Sequence, residues 1–170
     1  MSAKQPKSLA RGEPPRAPTP PDVLAPFALT ALRDPTLQTT LDNGVRLATA
    51  ELHADLSAFF EYLPTHGFVA MRSGVGWRVD AADLTAIPLQ DVCTPGTRPG
   101  SNTPIILPDM RSGGPSAGFS LLREHNVVSG LTVGVERDGL EFGLLGVYTL
   151  ARREFPPSDI SRLQTLAAVL

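Results

Sequence analysis

From Val127 to Leu150, VVSGLTVGVERDGLEFGLLGVYTL, apolar positions recur with a period of two, the pattern of β-strands. Leu131, Val133 and Val135 alternate with Gly130, Thr132 and Gly134. Phe142, Leu144, Gly146 and Tyr148 then alternate with Gly143, Leu145, Val147 and Thr149. Asp138-Gly139 between the two runs tolerates the positive φ angles of a two-residue hairpin turn. The second run is apolar on both faces, which predicts a central strand covered on both sides. The first has one bulky face and one face of small residues, so a helix or a ligand is expected close to the small face.

Helical periodicity brackets the chain. Leu37, Leu41, Val45, Ala48 and Leu52 form one stripe, with Pro35 suited to the first turn. Gly44 weakens the middle of this helix by about 1 kcal/mol relative to alanine, which points to a close packing partner. His53 is expected on the surface at its end. Asp55–Leu63 reads as a strand, with Leu56, Ala58, Phe60 and Tyr62 on one side and Phe59 and Leu63 on the other. Residues 64–67 read as a turn that exposes His66, and Phe68–Arg72 as the return strand. From Ser73 to Pro115 the pattern loosens, with six prolines between Pro88 and Pro115. Within it, Thr103–Leu107 is a short strand, placed at a sheet edge by Pro104. Asp109 and Arg111 follow it. Ser116–Glu124 reads as a short helix turning Phe119, Leu121 and Leu122 inward, ended by His125-Asn126 with asparagine in a left-handed cap. The last helix is expected over Ser158–Leu170, with Pro157 in its first turn and Asp159 near its N-terminus. Its apolar residues Ile160, Leu163, Ala167 and Leu170 step like a coiled-coil seam, widened by Leu166 and Val169. The pattern is still apolar at Leu170, so the helix is expected to continue into a further domain.

Residues 1–26 hold seven of the seventeen prolines and too little apolar surface to offset ordering entropy. A disordered Pro-rich tail over 1–26 and one domain over 27–170 are therefore expected. An apolar share of 42% suffices for a core. A net charge of −2 gives no electrostatic case for nucleic acid. The sequence has no apolar run long enough to enter a membrane as a helix. The one cysteine, Cys93, excludes an internal disulfide and fits a reducing, cytoplasmic compartment.

The order helix, two strands, irregular stretch with an edge strand and short helix, two strands, helix resembles a GAF domain of the bacterial sensor-protein kind. The residues that carry the resemblance are Leu122-Arg123-Glu124-His125-Asn126-Val127-Val128-Ser129-Gly130, Phe142-Gly143-Leu144-Leu145-Gly146-Val147-Tyr148, Arg153-Glu154-Phe155, and Asp159 ahead of Leu163-Gln164-Thr165-Leu166-Ala167. Leu41–Trp77 resembles the first helix and hairpin more loosely. Pro156 stands where such domains commonly have a threonine or serine N-cap, a loss typically worth about 1 kcal/mol. The resemblance implies an α+β, GAF/PAS-like fold: a central antiparallel sheet, the N- and C-terminal helices on one face, and a small-molecule pocket under the loops and short helix on the other. It also implies a homodimer through the terminal helices and a place in a sensor histidine kinase, diguanylate cyclase or similar protein.

No catalytic or metal-binding residues are expected. His53, His66 and His125 lie in separate elements, none at metal-ligand spacing. Among the chemistries the resemblance brings, methionine sulfoxide reduction needs several cysteines. A bilin attachment site commonly has histidine after the cysteine, whereas Thr94-Pro95 follows Cys93. The Asn-Lys…Phe…Asp-Glu signature of cyclic-nucleotide binding is absent. A haem would need an inward histidine, and His125, read as a structural cap, is the one near the expected pocket. No cofactor is therefore expected, and the chain is read as non-catalytic. Phe60, Phe119, Ser129 and Thr132 are the expected pocket lining, with Asp109 and Arg111 at its mouth. Leu163, Ala167 and Leu170 are the expected dimer seam. Two rival readings are a ligand-free dimerisation module with a filled core, and a redox enzyme using Cys93.

Overall fold

The apolar stripe from Leu37 folds as helix α1, Leu37–Glu51, and buries Leu41, Gly44, Val45 and Ala48. The computed structural model describes residues 36–63, 67–78, 84–93, 103–107, 109–112 and 118–170. The expectations for the tail at 1–26, for Pro35 and for His66 lie outside these residues. After α1 come β1 (Leu56–Tyr62), β2 (Phe68–Val75), β3 (Ile87–Pro88) and a single 3-10 turn at Leu89–Asp91. Next are β4 (Ile105–Leu107), the short helix α2 (Ser120–Glu124), β5 (Ser129–Arg137), β6 (Leu140–Thr149) and α3 (Pro157–Ala167).

The six described strands form one antiparallel sheet in the order β3-β2-β1-β6-β5-β4. Strand β6 is central, as its two apolar faces require, and β4 is an edge strand. Asp138 and Gly139 both have positive φ, 53° and 75°, and join β5 to β6 in the expected tight turn. Asn126 ends α2 in the left-handed region, φ 57°.

Strand parity sorts the core into two layers. Phe59, Leu131, Val133, Leu145 and Val147 pack with Leu41, Val45 and Ala48 of α1 and with Leu163, Leu166 and Ala167 of α3. Phe60, Leu144 and Tyr148 face the other way, toward Cys93, Phe119, Leu122 and the loops. Helices thus cover one face, and loops with α2 cover the other.

Two expectations are corrected. The chain does not loosen at Ser73: β2 continues to Val75 across a register shift between Phe59 and Phe60. The Ser73 hydroxyl donates to Asp42 of α1 at 2.6 Å, so a polar residue ends up inside the ordered frame. Second, the last helix, expected over Ser158–Leu170, stops at Ala167. Leu163 is fully buried and Ala167 nearly so, both against the chain's own sheet and α1, while Leu170 packs at the margin.

Arg153 ties the helical layer to the sheet. Its backbone N–H donates to the Ser129 hydroxyl at 3.1 Å. Its guanidinium donates to the carbonyls of Leu52 and His53 beyond α1 and to Asp159 in the first turn of α3, the last at 2.7 Å. It also lies 5.1 Å over the Phe155 ring. Pro156 provides no side-chain cap for α3, and the buried Asp159 instead receives Arg153. Arg153→Met removes the guanidinium from the Leu52 and His53 carbonyls, from Asp159 and from the Phe155 ring, and leaves Asp159 without its ion-pair partner, while the backbone bond to Ser129 stays. A loss of about 2–3 kcal/mol in chemical denaturation is expected. A loss below about 0.5 kcal/mol would place Arg153 among ordinary surface residues.

Candidate ligand-binding face

The small-residue face of β5 has a definite neighbour. Gly130 pairs across the sheet with Tyr148, and Thr132 with Gly146. The Tyr148 ring folds along this face so closely that a Cβ at Gly130 would sit 2.7 Å from its Cδ1. Its hydroxyl lies 3.4 Å from the Thr132 hydroxyl. Glycines at 130 and 146 are therefore what allow a tyrosine to lie flat on the sheet. The partner expected from a helix or a ligand is a side chain of the adjacent strand. Full burial pushes the Tyr148 hydroxyl well above its ordinary ionisation range.

Above the sheet stands Trp77, placed by the turn that follows β2. Its indole N–H donates to the Ser57 carbonyl at 2.8 Å. Three rings meet it edge-on: Phe60 at 6.2 Å between centroids, Tyr148 at 5.8 Å and His125 at 4.9 Å. His125 ends α2 with Nδ1 2.9 Å from the Leu121 carbonyl, consistent with a capping role. Phe119, φ 61°, precedes α2 and donates its N–H to Gln90 of the 3-10 turn at 2.8 Å.

Of the expected pocket residues, Phe60, Phe119 and Thr132 share the loop face and are buried there. Ser129 does not join them. It has the parity of Leu131 and Val133, and its hydroxyl accepts from Arg153, so it serves the helical side. Asp109 and Arg111 form a local ion pair outside the core, with Nε–Oδ1 at 3.2 Å, and the Arg111 guanidinium holds the Asp109 carboxyl below its usual range. Arg111 lines an open cavity of about 360 Å³ with Met110, Arg123, Asn126, Val127, Val128 and Leu150. Met110 is fixed there by donating to Val128 at 2.7 Å. This cavity lies at the surface, apart from the ring cluster. Trp77 and Tyr148 were absent from the expected lining. The readable signals were the chain's single tryptophan just after Gly74 and Gly76, and one bulky tyrosine opposite two glycines.

Cys93 is buried on the loop face, and burial pushes its thiol up to about 12 from an ordinary 9.0. The folded state therefore favours the protonated thiol. Its contribution to stability is complete below about pH 9 and is lost as pH rises toward 12. The thiolate is the nucleophile, so at neutral pH Cys93 is expected to resist a thiol-specific disulfide reagent until denaturant is added. Rapid labelling of the folded chain would contradict this placement. Among the described residues, no group of three or more histidine, cysteine, aspartate or glutamate side chains is placed to hold a metal ion. No described helix is long and apolar enough to cross a membrane.

This architecture is the GAF fold. The chain is similar to the GAF domain of a phosphoenolpyruvate-protein phosphotransferase from Coxiella burnetii, at 18% identity and a TM-score of 0.66, covering 85% of this chain and 86% of that one. It is similar to the phycocyanobilin-bound GAF domain of a cyanobacterial phytochrome, at 13% identity and a TM-score of 0.65, covering 86% and 88%. It is also similar to the free methionine-R-sulfoxide reductase of Neisseria meningitidis, solved with its substrate, at 15% identity and a TM-score of 0.63, covering 86% and 83%. No family model and no curated protein sequence matches the chain.

Proposed function

We propose that this chain is a sensory domain of a bacterial signal-transduction protein, cytoplasmic and non-catalytic, that binds a small molecule on the loop face and relays occupancy through a helical homodimer. The observation that carries the reading is the shared sheet. Strand β6 presents Leu144 and Tyr148 to the loop face and Leu145 and Val147 to the helices, so both layers rest on one strand. A ligand that fits one arrangement of Tyr148 and Trp77 better than another biases the helices only by that difference in affinity. The phytochrome domain with its phycocyanobilin and the reductase with its substrate lend support, since both domains of this fold hold small molecules. The dimer contact is proposed on the apolar margin left half-buried by Leu47, Ile160, Val169 and Leu170. The output would be a kinase, cyclase or similar domain.

The raised ionisation of Cys93 speaks against a redox enzyme. One observation favours a second reading, the ligand-free dimerisation module: Phe60, Trp77 and Tyr148 pack against one another on the loop face. Thermal unfolding against a panel of soluble metabolites separates the two. A true ligand at one hundred times its dissociation constant adds about 2.7 kcal/mol, a rise of several degrees. A flat response across the panel, with a stable dimer by light scattering, would favour the module.

A further inference from the structure

Among the described residues, His125 beside Trp77 keeps a ring nitrogen that the fold leaves without a partner. His125 is only 5% exposed, and its Nδ1 meets the Leu121 carbonyl. A carbonyl only accepts, so Nδ1 carries a proton, and in that tautomer of a neutral imidazole Nε2 is a bare lone pair. Nε2 is buried with no hydrogen-bond partner. Buried polar atoms in native proteins are nearly always paired, and an exception calls for an explanation, such as a water or a ligand group that pairs with it. The neighbouring donors are committed elsewhere: the Trp77 N–H to Ser57, and the Tyr148 hydroxyl beside Thr132.

The surroundings narrow the occupant. The imidazole lies against Trp77, which in turn meets Phe60 and Tyr148. Aromatic and aliphatic side chains make up the cluster around them. Such walls favour a flat ring in an offset or edge-on arrangement. An apolar lining of this kind penalises a net charge. Trp77 is only partly buried, unlike Phe60 and Tyr148.

Building on the sensory reading of this face, we propose that His125 Nε2 is the anchoring acceptor for an uncharged planar ligand that offers one O–H or N–H donor and seats against Trp77. Phenol and anisole test this directly, because they share a ring and differ in that donor. Trp77 is the chain's single tryptophan, so its fluorescence, excited beyond the absorption of either probe, reports occupancy. Phenol is expected to change the signal saturably and to bind about tenfold more tightly than anisole, the worth of one hydrogen bond to a buried acceptor. In nitrogen NMR, phenol should move the His125 Nε2 resonance away from its bare-lone-pair position, and anisole should not. His125→Phe keeps a ring against Trp77 and should bring the phenol-to-anisole ratio to about one. If that variant fails to fold, the wild-type ratio and the Nε2 resonance decide alone. Equal affinity for the two probes, binding of neither, or an Nε2 resonance that phenol leaves unmoved would overturn the anchor. Overturned in a chain that still gains thermal stability from a metabolite, it leaves the sensory reading intact. An anchor upheld in a chain whose helices ignore occupancy removes the relay instead.

Discussion

Replacing Leu163 by glutamate is expected to unfold the domain, not to separate a pair of subunits. Leu163 is fully buried, and it shares its cluster with Leu41 and Val45 of α1 and with Leu131 and Leu145 of the sheet. The substitution forfeits about 1.5–3 kcal/mol of apolar burial. It also buries a carboxylate where the surrounding cluster is apolar, a further cost that puts the total above about 4 kcal/mol. Circular dichroism should show loss of the cooperative melt. The contrasting variant is Leu170→Glu. Leu170 lies beyond the end of α3 and is half-buried, so this chain should fold and any effect should fall on the oligomer. A Leu163→Glu protein that melted like wild type but ran as a monomer would return that residue to an interface between chains.

Phe60→Ala is the second large effect, and it asks whether the loop face is packed or hollow. Phe60 is fully buried in β1, is flanked by pairing to both β2 and β6, and meets Trp77 edge-on. Truncating a phenylalanine in such a site costs about 3–5 kcal/mol, because the strands on either side restrict collapse of the void. Chemical denaturation should therefore show a large fall in midpoint with little change in slope. A loss below about 1 kcal/mol would mean that Phe60 borders open space already.

These two residues also mark what could be read in the sequence. Period-two runs fixed β1, β5 and β6 and their faces, since a strand offers only two directions to its side chains. Pro104 placed β4 at the edge, and Asp138-Gly139 and Asn126 announced their left-handed backbones. Leu163 shows a different limit. A stripe on a helix says that something covers it, and cannot say whether the cover is the same chain or another copy. Ser129 was separable from Thr132 by parity alone, because Ser129 counts with Leu131. The continuation of β2 through Ser73 and Gly74 was hidden because its support is an Asp42 side chain from α1 and pairing to β1, neither of which leaves an apolar signature. Trp77 and His125 lie far apart in sequence and meet only through the topology. The open Nε2 could not be inferred before the ring was placed against its neighbours.

The most direct test of a small-molecule site on the loop face is native mass spectrometry of the purified chain, alone and after incubation with the metabolite panel, set against its denatured mass. A discrete mass excess that disappears on denaturation, and that Trp77 fluorescence follows, is the expected result. A bare native mass in every condition, on a folded chain, would contradict the sensory reading and leave the ligand-free module in its place.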